Sequence, residues 1–274
     1  SSPGSKAASR LVSSAGSGMR IPQLLMEARE AGRAVGAFNV YSLEGALAVR
    51  RAVERVSLPA ILQLHPASME FGGTALIAAC RDIASDCSAA PIFVQLDHAQ
   101  DVTSIRQALA AGVDGVMADG SHFPLEENTA WTGEMARLAH SAGASVEAEL
   151  GKLAGEEDGL SVALRDAKMT DPAVVAEFLA ASRVDALAVT IGNVHGKYAM
   201  DPPVLDWGRL DAVRSEAGET PLVLHGASGL PPAFLSQAVK AGITKFNVNT
   251  EVRAAAVAAA VAGAGQRQDP LGGM

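Results

Sequence analysis

Short apolar runs alternate along this chain with longer stretches in which apolar residues recur at i, i+3 and i+4. The runs cover residues 34–40 (AVGAFNV), 60–65 (AILQLH), 92–98 (IFVQLDH), 115–119 (GVMAD), 145–150 (SVEAEL), 186–192 (ALAVTIG), 222–226 (LVLHG) and 245–250 (KFNVNT). They are continuous rather than strictly alternating, which predicts strands covered by helices or closed into a barrel. Helical spacing marks residues 22–31, 43–56, 75–85, 101–111, 125–142, 172–181 and 232–241, and Gly32, Gly112, Gly143 and Gly242 stand where helix C-caps belong. An Ala-rich stretch at 253–265 reads as one more helix. Alternating βα units predict a parallel sheet. Eight of them predict an α/β fold made of a single (β/α)8 TIM barrel rather than a doubly wound sheet.

Composition narrows the function classes. The chain has 274 residues, near the typical size of one such barrel, and 49% are hydrophobic, which excludes a disordered chain. The formal charge is −8, and no basic cluster offers a face for nucleic acid. No apolar run reaches the ~18–20 residues that cross a bilayer. Cys80 and Cys87 are spaced like neighbours on two turns of one helix and are expected to be reduced thiols near the core. Residues 1–18 are Ser-, Gly- and Ala-rich and without acids. They are expected to be a flexible tail, a vector-derived scar or the remnant of a transit peptide, leaving 19–274 as the barrel.

Active sites of these barrels lie at the C-terminal strand ends. The ends of the predicted strands carry Asn39, His65, Asp97, His98, Asp119, Glu149, the 192–195 stretch, His225 and 247–250. His98, His195 and His225 would project into one bowl from strands three, six and seven, and three imidazoles with an open fourth position make a catalytic zinc site. Asp97 reads either as a general acid/base beside the metal or as a capping carboxylate. The 225–229 (HGASG) and 247–250 (NVNT) stretches suit phosphate, which helix N-termini and the loops after strands seven and eight bind in this architecture. Of the remaining histidines, His140 is expected on a helix surface and His122 in a loop after strand four.

These stretches carry a resemblance. Gly36-Ala-Phe-Asn39, Leu96-Asp-His98, Val116-Met-Ala-Asp-Gly-Ser-His122, Val146-Glu-Ala-Glu-Leu-Gly151 with Gly155-Glu-Glu-Asp158, Ile191-Gly-Asn-Val-His-Gly-Lys-Tyr198, Leu224-His-Gly-Ala-Ser-Gly229 and Asn247-Val-Asn-Thr-Glu251 follow one another as in class II, metal-dependent ketose-bisphosphate aldolases. The resemblance spans about residues 21–260 and is strongest towards tagatose-type and short fructose-type members. It implies reversible cleavage of a ketose bisphosphate into dihydroxyacetone phosphate and an aldehyde such as glyceraldehyde 3-phosphate, through a metal-stabilised enediolate. It implies that His98, His195 and His225 ligate zinc, that Asp97 handles the proton on the C4 oxygen, and that Glu157, in a mobile loop after strand five, exchanges the proton on the dihydroxyacetone-phosphate carbon. Gly196, Lys197, Gly226, Ser228, Asn249 and Thr250 would hold phosphate, Asn247 the hydroxyl or carbonyl, with Asn39 assisting. Asp119 and Glu149 would either bind a second metal or serve as ordinary hydrogen-bonded carboxylates, and a monovalent cation would lie near the phosphate. Lys197 is expected to be the only lysine near the site. The implied enzyme is cytoplasmic, or in a plastid or other organelle if the tail is a transit remnant, and a homodimer or homotetramer acting on a phosphorylated sugar, with no membrane or nucleic-acid partner.

Two departures qualify this. Relatives carry a small residue near His65, so Gln63-Leu-His-Pro66 implies contact with the aldehyde's phosphate, a different aldehyde, or a packing role. A similar run occurs in the aldolase-like domain of larger plant-type fusion proteins, which points to a related sugar phosphate. Relatives also run on past Met274 through another helix against the partner subunit, which leaves the oligomeric state open; Arg253 is a candidate distal-phosphate contact. The rivals are a metal-dependent barrel hydrolase, whose H-x-H pair is missing at Phe38-Asn-Val40, a lyase for a different sugar or sugar acid, and a non-catalytic sugar-phosphate-binding barrel.

Overall fold

The computed structural model describes residues 18–157, 160–162, 168–196, 198 and 203–264. In chain order the elements are α1 (Ile21–Glu30), β1 (Val35–Asn39), α2 (Leu43–Val56), β2 (Ala60–Leu64), α3 (Pro66–Ser85), β3 (Ile92–Ala99), α4 (Val102–Ala110), β4 (Gly115–Ala118), α5 (Leu125–Ser141), β5 (Ser145–Leu150), β6 (Ala154–Glu157) and β7 (Leu160–Val162). A 3-10 turn (Pro172–Val174) leads into α6 (Val175–Ser182), then β8 (Ala186–Val189), β9 (Val194–His195), α7 (Trp207–Ala217), β10 (Leu222–Leu224), α8 (Pro232–Lys240), β11 (Ile243–Val248) and α9 (Thr250–Ala264). Eight strands close into a parallel barrel in the order β1-β11-β10-β8-β5-β4-β3-β2. The predicted (β/α)8 barrel is the fold.

Strand alternation sorts the side chains into two cores. Leu62, Leu64, Val94, Leu96, Val116, Val146, Leu187 and Leu222 face outward and pack with the surrounding helices. Ile61, Phe93, Met117, Ala188 and Val223 face the lumen, where they meet Ile21, Leu24 and Leu25 of α1. Helix α1 therefore plugs one mouth of the barrel. Arg20 ties it there by donating from Nη2 to the Ala144 carbonyl (3.1 Å), just before β5, and Arg29 pairs with Glu219, just before β10. Both partners precede strands, so the plugged mouth is the N-terminal one. The C-terminal mouth is left for the polar strand ends.

Several elements differ from the sequence expectation. The first turns of α3 were not expected: the helix starts at Pro66, not residue 75, and is broken at Gly73 (φ +58). The breaking glycine splits the apolar spacing that a single helix would show. Helix α7 was also missed, although Leu210, Val213 and Ala217 are its buried stripe and Asp206 caps it by accepting from the Arg209 N–H. The predicted strand 186–192 ends at Val189; the chain turns and re-forms as β9, which joins β6 and β7 in a separate three-stranded sheet. Glu157 thus lies at the end of a strand rather than in a loop. Cys80 is buried in α3, whereas Cys87 lies beyond the end of that helix, and both are free. Residues 1–17 of the expected tail lie outside the described residues.

Leu25 is fully buried under the lumen. Leu25→Ala is expected to cost about 2–5 kcal/mol, read as a lowered urea midpoint.

Candidate active site

The C-terminal mouth is built from residues two apart on each strand. On β3, Asp97 follows Gln95 on the lumen face, and alternation would send His98 outward. Instead His98 takes a left-handed conformation (φ +43), and the β3–β4 register shifts between Leu96 and Ala99. This bulge turns two adjacent side chains into one site. A non-glycine residue in that conformation costs about 1–2 kcal/mol, and such strain collects where a site over-determines the backbone.

His98, His195 and His225 come together: one ring nitrogen from each lies within 4.8 Å of the others. The His98 Nε2 and His225 Nδ1 atoms approach to 2.9 Å, and the His195 ring centroid is 5.1 Å from that of His98. The far nitrogens of the two buried rings are backed by carboxylates: His98 Nδ1 donates to Asp119 Oδ2 (3.0 Å) and His225 Nε2 to Glu147 Oε1 (2.8 Å). Metal-ligating histidines have this backing, which fixes tautomer and ring orientation and leaves the inner nitrogen's lone pair for the metal. The donor set therefore fits a tetrahedral zinc with a fourth position for substrate. His195 reaches the group from β9, outside the barrel strands. That approach depends on Gly226 (φ +62), where a Cβ would stand 2.1 Å from the Val194 carbonyl oxygen.

Asp97 is caged. It accepts from Asn39 Nδ2 (2.9 Å), Gln63 Nε2 (3.1 Å) and Asn247 Nδ2 (3.2 Å). The oxygens of these three amides are buried with no hydrogen-bond partner. They border the site as acceptors for a hydroxyl-rich ligand. Asn39 and Asn247 were expected here; Gln63 was not read as a site residue, although it lies one turn of strand alternation before His65.

Beneath the histidines lies a charged layer that sequence reasoning missed. Glu147 Oε2 accepts from Lys245 Nζ (2.6 Å) and from Gln95 Nε2 (3.0 Å), with both partners buried in the lumen. Burial alone would raise the Glu147 pKa, but the Lys245 ammonium and the His225 ring hold it well below the usual carboxylate range. The expectation that Lys197 is the only lysine near the site is corrected by Lys245: alternation on β11 points it inward, two residues before Asn247. The signal was available, since Glu147 and Lys245 occupy lumen positions of their strands.

Asp119 and Glu149 form a second group with His98, again with one ligand atom each within 4.8 Å of the others. Asp119 also accepts from Ser121 and Gln100. Glu149 is pushed up to about 8 by burial and by the neighbouring Asp119 charge. His65 is buried at the end of β2; its Nδ1 accepts from the Ala67 N–H (3.2 Å), which places the proton on Nε2, and its ring lies 6.5 Å from that of His98. Ser228 is buried with an unpartnered Oγ, and Tyr198 Oη donates to the Gly226 carbonyl (2.8 Å). Asn249 Oδ1 accepts from Tyr41 Oη, Thr250 opens α9, and Arg253 is exposed in the first turns of that helix. Gly196 follows His195 at φ +82. Asn193 buckles this edge together, donating to the His225 carbonyl (3.1 Å) and accepting from the Ile191 N–H (2.7 Å). Lys197 and the Glu157 side chain lie outside the described residues. His122 is exposed with its ring tilted against Phe123, and His140 pairs with Asp185, so neither joins the site.

The model of the family "Fructose-bisphosphate aldolase class-II" matches residues 19–271. The D-tagatose-1,6-bisphosphate aldolase subunit GatY of Klebsiella oxytoca is 42% identical over 233 residues, 85% of this chain and 81% of that protein. A Coccidioides immitis protein assigned as a fructose-1,6-bisphosphate aldolase superposes with a TM-score of 0.86 at 35% identity, over 90% of this chain and 87% of that one. The YdjI aldolase of Escherichia coli K12 superposes with a TM-score of 0.78 at 30% identity, over 93% and 89% of the two chains. The barrel and its histidine-lined mouth are thus those of an aldolase-like lyase. The chain belongs to the class II fructose-bisphosphate aldolase family.

Gly226→Ala should force β9 away from the end of β10 and carry His195 with it. Zinc affinity is expected to fall at least about 10-fold, the size of effect seen when ligand support is lost, measured by chelator competition on protein whose far-ultraviolet circular dichroism is unchanged.

Proposed function

We propose that the protein is a zinc-dependent aldolase that cleaves and forms a ketose phosphate, with dihydroxyacetone phosphate as one product. The observation that carries this reading is the convergence of three imidazole nitrogens beside the caged Asp97. Zinc held by His98, His195 and His225 would supply a Lewis acid for the negative charge that develops on the substrate's carbonyl oxygen.

The chain's own groups do the rest. The three amide donors around Asp97 aim its carboxylate and leave it free to take the proton from the C4 hydroxyl during cleavage and return it during condensation. Glu157 exchanges the proton at the dihydroxyacetone-phosphate carbon. The phosphate of that half is held by Gly196, Lys197, Gly226, Ser228, Asn249 and Thr250, where the start of α9 offers unsatisfied N–H groups. The resemblance adds a monovalent cation, which would lie near that phosphate and offset part of its charge. Asn247 and Asn39 bind the substrate's hydroxyl or carbonyl oxygens. Asp119 and Glu149 would either hold a second metal together with His98 or serve as hydrogen-bonded carboxylates beside it. A tagatose or fructose 1,6-bisphosphate is the favoured substrate, and a homodimer or homotetramer the favoured assembly. Among the described residues no helix is long and apolar enough to cross a membrane.

A second reading keeps the same chemistry with another aldehyde half. It is favoured by His65, buried 6.5 Å from the His98 ring where it narrows the β2 side of the mouth.

Two outcomes test the proposal. Dihydroxyacetone phosphate in heavy water should exchange one carbon-bound proton stereospecifically, seen by proton NMR, and a chelator should stop it. Absence of exchange from folded, zinc-loaded protein would remove the phosphate-donor reading. His98→Ala should leave the protein without stoichiometric zinc, and metal analysis that still finds one zinc per chain would contradict the ligand assignment.

A further inference from the structure

Below the plane of the three histidines, Glu147, Lys245 and Gln95 form a polar layer above the apolar part of the lumen that packs on α1. Each is nearly inaccessible: Gln95 is 2% exposed, Glu147 4% and Lys245 0%. The Glu147 carboxylate is immobilised at both oxygens. Oε2 takes Lys245 Nζ at 2.6 Å and Gln95 Nε2 at 3.0 Å, which leaves Oε1 for His225 Nε2 at 2.8 Å. Lys245 is held by β11, paired with β1 and β10 on its two sides at Val35 and Val223. Glu147 is held by β5, in register with Met117 of β4 and Ala186 of β8. The pair therefore spans the barrel between strands that are not neighbours, and its geometry cannot relax without moving strands.

We propose that Glu147 and Lys245 act as a positioning pair for His225. Glu147 fixes the imidazole with its proton on Nε2 and its Nδ1 turned to His98 Nε2, 2.9 Å away. Lys245 cancels the carboxylate's charge, so that Glu147 can be buried under the histidines. A lone buried carboxylate would be costly, and removing one member of such a pair leaves the other uncompensated. This inference rests on the zinc reading of the three histidines.

Two variants test it. Glu147→Gln with Lys245→Met removes both charges at nearly constant volume, a change that buried pairs tolerate in stability terms. Glu147→Asp keeps the charge opposite Lys245 but withdraws the carboxylate from His225. Zinc affinity is read by competition with a chromophoric chelator, ring orientation by the visible spectrum of the cobalt(II)-substituted protein, and folding by the melting temperature of the metal-free protein. The expected result is a metal-free melting temperature near that of the parent for the double variant, zinc affinity lower by about 10–100-fold in both variants, and an altered cobalt spectrum in both. Affinity within about threefold of the parent, below the 10-fold lower bound for lost ligand support, overturns the inference. So does weakened zinc with an unchanged cobalt spectrum, because the pair would then act on stability alone. If the double variant does not fold, Glu147→Asp decides by the same two readouts. If the parent protein itself binds no zinc, the zinc reading falls and this inference with it; if the parent binds and the variants bind equally, only this inference falls.

Discussion

Closure of eight parallel strands sends every second strand residue into a lumen that α1 seals from below. Any charge placed there is in a low-dielectric space and must be paired or bonded. Most of the arrangement in the upper barrel follows from that requirement. Glu147 is matched by Lys245 and His225, Asp119 by His98, Ser121 and Gln100, and Asp97 by three side-chain amides. The site is a polar network in which nearly every member holds another, rather than a set of catalytic residues resting on an inert frame. Networks of this kind are rigid when satisfied and expensive when broken.

One local departure from regularity sets two members of this network side by side in the mouth. A regular β3 would place either Asp97 or His98 in the mouth. The bulge with its left-handed His98 places both, so that a carboxylate suited to proton transfer and an imidazole suited to metal stand on consecutive residues. Gly226 provides the second departure. It lets the backbone of β9 approach the end of β10 within a distance no side chain permits, and so brings His195 in from a sheet that is not part of the barrel.

The sequence made the barrel legible because the βα rhythm is carried by many separate runs, each readable alone. Convergence of His98, His195 and His225 was legible for the same reason: each stands at or just past the end of a predicted strand. The route taken by His195 was not, since a two-residue strand such as β9 has no periodicity to detect. Helix α7 escaped notice because its buried stripe is only Leu210, Val213 and Ala217. Glu147 and Lys245 were visible as letters inside strand runs but not as partners, because they are 98 residues apart and only strand closure brings them together. His98 shows the limit most plainly. Alternation argues for one of Asp97 and His98 in the lumen, and nothing in the letters fixes the bulge that admits both.

The charge balance of the lumen bears on what the mouth can hold. Asp97, Asp119, Glu147 and Glu149 are four carboxyl groups within one barrel interior, and Lys245 is the lysine among the described residues that faces them from inside. Glu147 is accounted for by Lys245. Asp119 and Glu149 press on each other, and Glu149 responds with a pKa of about 8. His98 is drawn the other way: burial would lower its pKa, but Asp97, Asp119 and Glu149 together hold it well above the usual imidazole value. Both shifts express one deficit of positive charge at the same place, around His98 where its Nδ1 meets Asp119. A divalent cation held by His98, Asp119 and Glu149 would relieve the deficit without protonating either carboxylate. Acids that are costly to bury without a counter-charge thus give this part of the barrel a preference for a cation.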